Sequence, residues 1–323
     1  MKKKKYLIGI DIGGTKMMAA LLDRRFRLLA SSKCRVELEK GEKGFLKTLD
    51  ETVAEILAKK RLKLRQVLAL GVGCPGMIDF ASGKVTYSPN IPFLKNYPLR
   101  TVLKKRFHLP VVVENDVNAG IYGEYQFGAA RGARNVVGIF LGTGVGGGLI
   151  LDGKLYRGTT GAAGEIGHTF LSLPASFEEN RDGTVERMLG RLAIAAEAGM
   201  LMLRERARHL HQAVDYDIKK IKSGVLSRSI RSGDSDLREL ILRKARILGM
   251  AMANIVNLLN PERIVLGGGL MEAMGDLILP QAVKTMEKYA LKPVVKSVKV
   301  VAAQLKDYAG AQGAAKLALD SLD

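Results

Sequence analysis

The sequence predicts an α/β protein made of two similar halves, each a mixed sheet covered by helices. Three observations carry this. The chain has 323 residues, which is room for about two domains. Antiparallel strand-like runs flank a glycine turn near residue 13, and the same pattern recurs near residue 143. After each turn, helical and strand-like runs alternate, and that order argues a mixed sheet with helices packed on it. Two such halves would hold ligands in the cleft between them.

The elements follow in chain order. KYLIGIDIGGTKMMAALLD and then FRLLASSKCRVE give a strand, a glycine turn and two further strands over residues 4–36. Residues 45–60 place Phe45, Leu49, Val53, Ile56 and Leu57 on one helical face. QVLALGVGCPG is a buried strand running into a Pro-Gly turn. A short helix spans 98–107, and LPVVVENDVNAG is a strand whose polar end opens another helix. Residues 135–157 then give strand, glycine turn, strand, Asp-Gly turn and strand. Helices follow from about 185. A long one at 235–259 has Leu237, Ile241, Ala245, Leu248, Met252, Ile255 and Leu259 on one face, and it ends before Pro261. RIVLGGGL is strand plus glycine turn, SVKVVAAQL a last strand and DYAGAQGAAKLALDSL a last helix.

Composition narrows the function. No apolar run is long enough to span a bilayer. The start, MKKKKYLIGIDIGG, reads as a strand rather than a signal peptide. Both points favour a cytoplasmic protein with no membrane partner. Two cysteines, Cys34 and Cys74, make neither a disulfide framework nor a cysteine-rich zinc site. The net charge of +19 would attract polyanions. However, the basic residues lie in scattered runs and tryptophan is absent, so no stacking platform is seen and no nucleic-acid partner is expected. The same field would help capture an anionic substrate such as a nucleotide.

Four polar constellations carry the chemistry. In Asp11-Ile12-Gly13-Gly14-Thr15-Lys16, the glycines supply positive φ for a turn and let backbone N–H groups approach phosphate oxygens. Thr15 adds a hydroxyl, Lys16 a cation, and Asp11 can orient magnesium through water. A plain hairpin is the alternative. Gly142-Thr143-Gly144-Val145-Gly146-Gly147-Gly148 is too glycine-rich for an ordinary strand, so close approach of a ligand is expected; a tight turn is the alternative. Gly267-Gly268-Gly269 can open a helix toward an anion. Glu114-Asn115-Asp116 ends a strand. Asp116 is either an N-cap or a base that takes a hydroxyl proton during attack on phosphate, and Asn115 suits a sugar hydroxyl pair. Glu165 and His168 stand three apart.

Taken together, DIGGTK, CPG, SPN, END, LGTGVGGG, EIGH, the acid at 186, GGG and DYAGAQGAAKLA resemble the ROK family (repressors, open reading frames and sugar kinases) over nearly the whole chain. The resemblance implies the fold of the hexokinase, actin and Hsp70 ATPase group: two RNase-H-like domains with an interdomain cleft. Residues 1–116 completed by 308–323 would form the first, and 117–307 the second. It implies an ATP- and Mg²⁺-dependent kinase acting on glucose to give glucose 6-phosphate, with Asp116 as base. Asn115, Asp116, Glu165, His168 and Glu186 would bind the sugar, with Gly76 and Asn90 as weaker candidates. Asp11, Gly13, Gly14, Thr15, Lys16, Gly142, Thr143, Gly144 and Gly267–Gly269 would hold the nucleotide. A cytoplasmic homodimer in carbohydrate metabolism and glycolysis is implied as well.

The sequence also departs from the family. The family pattern places three cysteines between His168 and Glu186, and with the histidine they bind zinc. Here that interval is TFLSLPASFEENRDGTV, with Thr184 where the last cysteine would stand. One histidine is not a zinc site, so no zinc is expected, and another group must orient the His168 ring. Fructose, mannose, N-acetylmannosamine or N-acetylglucosamine are alternative acceptors, and polyphosphate an alternative donor. A sugar-responsive repressor is a further alternative. Against it, only ten residues precede Asp11, too few for the winged helix-turn-helix of such family members.

Overall fold

The computed structural model describes residues 4–14, 16–173 and 182–322. The chain opens with strands β1 (Tyr6–Ile12), β2 (Lys16–Asp23) and β3 (Leu28–Arg35), then helix α1 (Gly41–Ala58) and β4 (Val67–Cys74). A small hairpin, β5 (Met77–Asp79) and β6 (Lys84–Tyr87), precedes α2 (Leu99–Phe107), β7 (Val111–Asn115) and α3 (Asp116–Phe127). Strands β8 (Val136–Leu141), β9 (Val145–Leu151) and β10 (Lys154–Tyr156) follow. Next come α4 (Val185–Leu189), α5 (Arg191–Leu203), α6 (Arg208–Val214), α7 (Ser223–Arg231) and α8 (Ser235–Leu259). The chain closes with β11 (Arg263–Gly267), α9 (Gly269–Tyr289), α10 (Lys292–Val295), β12 (Lys299–Ala302) and α11 (Ala309–Asp320).

The doubled scheme read from the sequence is present in the strand order. One sheet runs β3-β2-β1-β4-β7 and the other β10-β9-β8-β11-β12. Counted by chain order within each sheet, both are 3-2-1-4-5. In the first, β1–β2 and β2–β3 are antiparallel, while β1–β4 and β4–β7 are parallel. The hairpin β5–β6 and helices α6, α7 and α10 are short elements that periodicity in the sequence did not resolve.

Both faces of the first sheet are covered, which is why its strands read as nearly unbroken apolar runs. Ile8, Ile10 and Ile12 point with Met17, Ala19 and Leu21 into a core with Phe45, Leu49, Val53 and Ile56 of α1. Leu7, Met18, Ala20 and Leu22 point the other way, onto Ala311 and Ala315 of α11. The predicted apolar face of α1 is thus the buried one. On α8, Leu237, Ile241, Ala245, Leu248, Met252 and Ile255 are buried while Leu259 is half-buried, and the helix ends at Asn260 in the left-handed conformation.

By contacts the chain divides into two units. One is Met1–Gly132, Gly148–Ala163 and Gln304–Asp323; the other is Ala133–Gly147 and Gly164–Ala303. Helix α3, read from the sequence as opening the second domain, falls in the first unit with α11. Their backbones meet where side chains are missing. A Cβ on Gly313 would lie 1.8 Å from the carbonyl oxygen of Ala119, and one on Gly123 2.3 Å from that of Ala309. The same holds where α11 crosses the sheet: a Cβ on Gly71 would lie 1.9 Å from the oxygen of Ala314. The small residues of AGAQGAAKLALD are therefore a close-packing face. Glu124, fully buried, fixes the chain at both ends of this pair. Its carboxylate accepts backbone N–H bonds from Ala129 at 2.7 Å, Gln304 at 2.9 Å and Leu305 at 2.7 Å. No helix among the described residues is long and apolar enough to cross a membrane.

Candidate active site

In the first unit the polar motifs collect where β1, β4 and β7 end. Register places Asp11 beside Gly73, and Gly73 beside Glu114. A Cβ on Gly73 would lie 3.4 Å from the Asp116 Cα and 3.6 Å from an Asp11 carboxylate oxygen, so both acids lie close to this glycine. Asp116 is not the cap of α3. That role falls to Asn115, whose Oδ1 accepts the Asn118 N–H at 3.0 Å. Asn115 also donates through Nδ2 to the Gly76 carbonyl at 3.1 Å, which ties the strand end to the Pro-Gly turn. Asp116 begins the helix, and its Oδ1 accepts the Val117 N–H at 3.0 Å.

Asp11 stands near the end of β1. Burial, then the charges of Asp116 and Asp307, push its carboxyl up to about 8. It is packed so closely that a Cβ on Gly310 would lie 2.7 Å from its Oδ2. A carboxylate raised by burial and by other acids is a group that a cation would return to its charged form. Yet no cluster of three or more His, Cys, Asp or Glu that could hold a metal exists among the described residues. Asp11 therefore fits a magnesium ion held mainly by phosphate oxygens and water, not a protein cage.

Two residues here were given no role in the sequence reading, Glu114 within its motif and Arg157 altogether. Glu114 is buried at 2 % exposure. Its Oε1 accepts the Asn115 N–H at 3.0 Å and the Asn118 Nδ2–H at 3.2 Å, and its Oε2 accepts Arg157 Nε–H at 2.7 Å. The Arg157 guanidinium stacks on the Phe80 ring, 3.7 Å from its centroid. This pair fixes the backbone from which Asn115 and Asp116 project. Arg157 is 43 positions from Glu114, and no local pattern marks it.

The glycine turns serve different ends. Gly13 N–H donates to the Lys16 carbonyl at 2.8 Å and closes the β1–β2 turn. The expectation that Gly13 and Gly14 supply positive φ is not met, since neither has a left-handed backbone. A Cβ on Gly13 would lie 3.2 Å from the Lys16 carbonyl, a tight fit, whereas one on Gly14 would make ordinary contact with the Asn90 Cβ at 3.5 Å, so the first glycine turn and the SPN loop adjoin. Thr15 lies outside the described residues. Lys16 opens β2 and is exposed. Gly76 does have positive φ, at 111°, and a Cβ there would lie 2.9 Å from the Ser88 Cα. Ser88 is buried, and its Oγ has no hydrogen bond among the described residues.

In the second unit, the Gly142–Gly144 turn is held from two sides. Arg191, first residue of α5, donates its N–H to the Gly142 carbonyl at 3.0 Å and its Nη2–H to Thr143 Oγ1 at 3.3 Å. Glu186 accepts the Val145 N–H at 2.9 Å, and a Cβ on Gly144 would lie 1.9 Å from the Glu186 Oε2. The short 3₁₀ turn Ile166–His168 packs on the same place: a Cβ on Gly167 would lie 2.1 Å from the Val145 carbonyl and 3.4 Å from the Glu186 Cβ. The acid at 186, the EIGH segment and the second glycine turn thus form one local structure. Glu165 and His168 are both about half exposed, with carboxylate and ring nitrogen 3.9 Å apart. Thr184 caps α4, accepting the Arg187 N–H at 3.4 Å; it does structural work where a cysteine would stand. Residues 174–181, inside the interval that lacks the cysteines, lie outside the described residues.

The third turn is packed. A Cβ on Gly267 would lie 2.7 Å from the Phe140 ring, and one on Gly268, whose φ is 88°, would lie 2.5 Å from the Leu141 carbonyl. Only Gly269, at the start of α9, has open space, with Ser223 Oγ at 3.6 Å.

Comparison with known proteins gives the family. The ROK family profile matches residues 7–321. A glucokinase of Halalkalibacterium halodurans is 32% identical, covering 96% of this chain and 93% of its own. An N-acetyl-D-glucosamine kinase of Vibrio parahaemolyticus is 31% identical over 96% of this chain and 98% of its own. The crystal structure of a ROK family glucokinase from Streptomyces griseus in complex with glucose and AMPPNP is 32% identical, with a TM-score of 0.85 over 98% of this chain and 99% of that one. The two sheets are those of the actin-like ATPase fold of ROK sugar kinases, and the chain belongs to the ROK family.

Proposed function

We propose that this protein transfers the γ-phosphoryl group of ATP to a hexose hydroxyl, the 6-OH of glucose, to give glucose 6-phosphate. One observation carries the reading. Asp116 stands at the start of α3, close to Gly73 and Asp11, on a strand end braced by Glu114 and Asn115. The glucokinase relative and the glucose–AMPPNP complex of the Streptomyces griseus protein support it.

In this mechanism Asp116 accepts the hydroxyl proton as the oxygen attacks the γ-phosphorus, and ADP leaves. Asn115, Glu165, His168 and Glu186 hold the sugar hydroxyls, with Gly76 and Asn90 at the margin. The turns at Gly13–Lys16 and Gly142–Gly144, with Gly267–Gly269, hold the nucleotide. Magnesium, when bound, offsets phosphate charge, and Asp11 orients its waters. Glu186 has two duties here, since it also anchors the second glycine turn.

A coupled ADP-release assay over glucose, fructose, mannose and N-acetylated amino sugars, with ATP and polyphosphate compared, tests the assignment. Glucose with ATP should give the highest kcat/KM. A preference for N-acetylglucosamine, or turnover with polyphosphate alone, would replace it. The shared role of Glu186 makes a second prediction. Gly144→Ala should push the Glu186 carboxylate off Val145 and raise KM for both glucose and ATP, each by about tenfold. A rise in one KM alone would show that Glu186 does not couple the two.

A further inference from the structure

We infer that the end of the first sheet remote from the candidate site is a docking surface for the phosphate backbone of a nucleic-acid duplex. In sequence the basic residues look scattered, but the fold brings three runs together. Lys4 and Lys5 lead into β1, and the Lys5 N–H bonds the Gln66 carbonyl at 2.9 Å. Arg24 and Arg25 sit in the turn after β2, next to that start, because Tyr6 pairs with Asp23. Lys60, Arg61, Lys63 and Arg65 carry the chain from α1 to β4, where Tyr6 pairs with Val67.

All eight are exposed. None takes part in an ion pair among the described residues, although lysines and arginines elsewhere commonly do, as with Lys244 and Glu197 or Arg206 and Asp236. The only acid in these runs is Asp23, which is already bonded to Arg27 at 2.7 Å. The cations thus line neighbouring strand ends, roughly 5 Å apart from strand to strand. Such a row matches a line of phosphates. The candidate site lies at the other end of β1, seven residues away, or about 20 Å at the rise of a strand.

Two features select a duplex. Membrane-surface segments pair their cations with apolar side chains that enter the lipid, and here the sole large apolar side chain exposed in these segments is Leu28, at 39 %. Single strands are held by stacking on aromatic rings, and none is exposed in this row. What is left is arginine and lysine presented to phosphate, which binds without reading sequence. This surface is independent of the sugar-kinase reading.

Titration of the full chain against a fluorescent 20-bp DNA duplex tests the inference. Binding should be micromolar near 150 mM salt and weaken about 10³-fold from 50 to 200 mM. The variant Lys60→Gln/Arg61→Gln/Lys63→Gln/Arg65→Gln should flatten the log–log salt slope by about 3. The variant Lys219→Gln/Lys220→Gln/Lys222→Gln/Arg231→Gln removes the same charge from the second unit and should leave the slope unchanged. Sugar phosphorylation should survive in both, which shows that both fold. Equal losses in the two variants would overturn the inference, because overall charge alone would then explain binding. Retention by phosphatidylserine vesicles or by long-chain polyphosphate, without duplex binding, would overturn it too.

Discussion

Asp116→Ala should lower kcat for sugar phosphorylation by about 10³-fold, the usual contribution of a positioned general base. Glucose affinity, measured by calorimetry, should change by less than about tenfold, because proton transfer belongs to the transition state and not to the ground state. The fold should tolerate the change. Asn115, not Asp116, caps α3, so Asp116→Ala removes no cap and costs about 0.5 kcal/mol through the lost charge–dipole interaction. Asp116→Asn sharpens the test. It can keep the Val117 bond and the shape but has no useful basicity, so its loss should equal that of alanine. Residual turnover within about tenfold of the native enzyme would remove Asp116 from the role of base.

Arg157→Met should destabilise the chain by about 3 kcal/mol, because it leaves the Glu114 carboxylate buried without its partner. Glu114 has 3 % of its side chain exposed and Arg157 23 %, so solvent screens the pair only partly. The double variant Glu114→Gln/Arg157→Met leaves no lone charge and should recover most of that loss, as seen by urea unfolding. Activity should not recover with stability. The acceptor for the Asn115 N–H and the Asn118 amide is weakened in the double variant, so the strand end loses its brace and kcat stays low. If the double change costs the sum of the two single changes, the pair is not coupled, and the brace must lie elsewhere.

How much of this was readable from the chain depends on distance in sequence. The strand–turn–strand runs at both glycine motifs, the buried face of α1 and the stop at Asn260 are local patterns, and each is present as read. Asp116 was singled out because a carboxylate at a strand end can take a proton from an attacking hydroxyl; whether it capped the helix was open, and the hydrogen bond from Asn118 to Asn115 answers it. Gly13 and Gly14 lack the positive φ read for them, because a letter string does not record the backbone conformation that a turn takes up. Arg157 carried no signal at all: it reads only as the last residue of the strand that follows the Asp-Gly turn.

By itself, then, the sequence determined the doubled α/β scheme and the order of the glycine turns, and it singled out the acid proposed here as the base, because these are written in short-range periodicity and side-chain chemistry. The tertiary structure alone decided which residues brace that acid, that Glu186 sits on the second glycine turn, that the third turn is packed, and that three basic runs share one sheet end. Each of those depends on a contact between segments far apart in the chain, and such contacts are set by register and packing that no local pattern records.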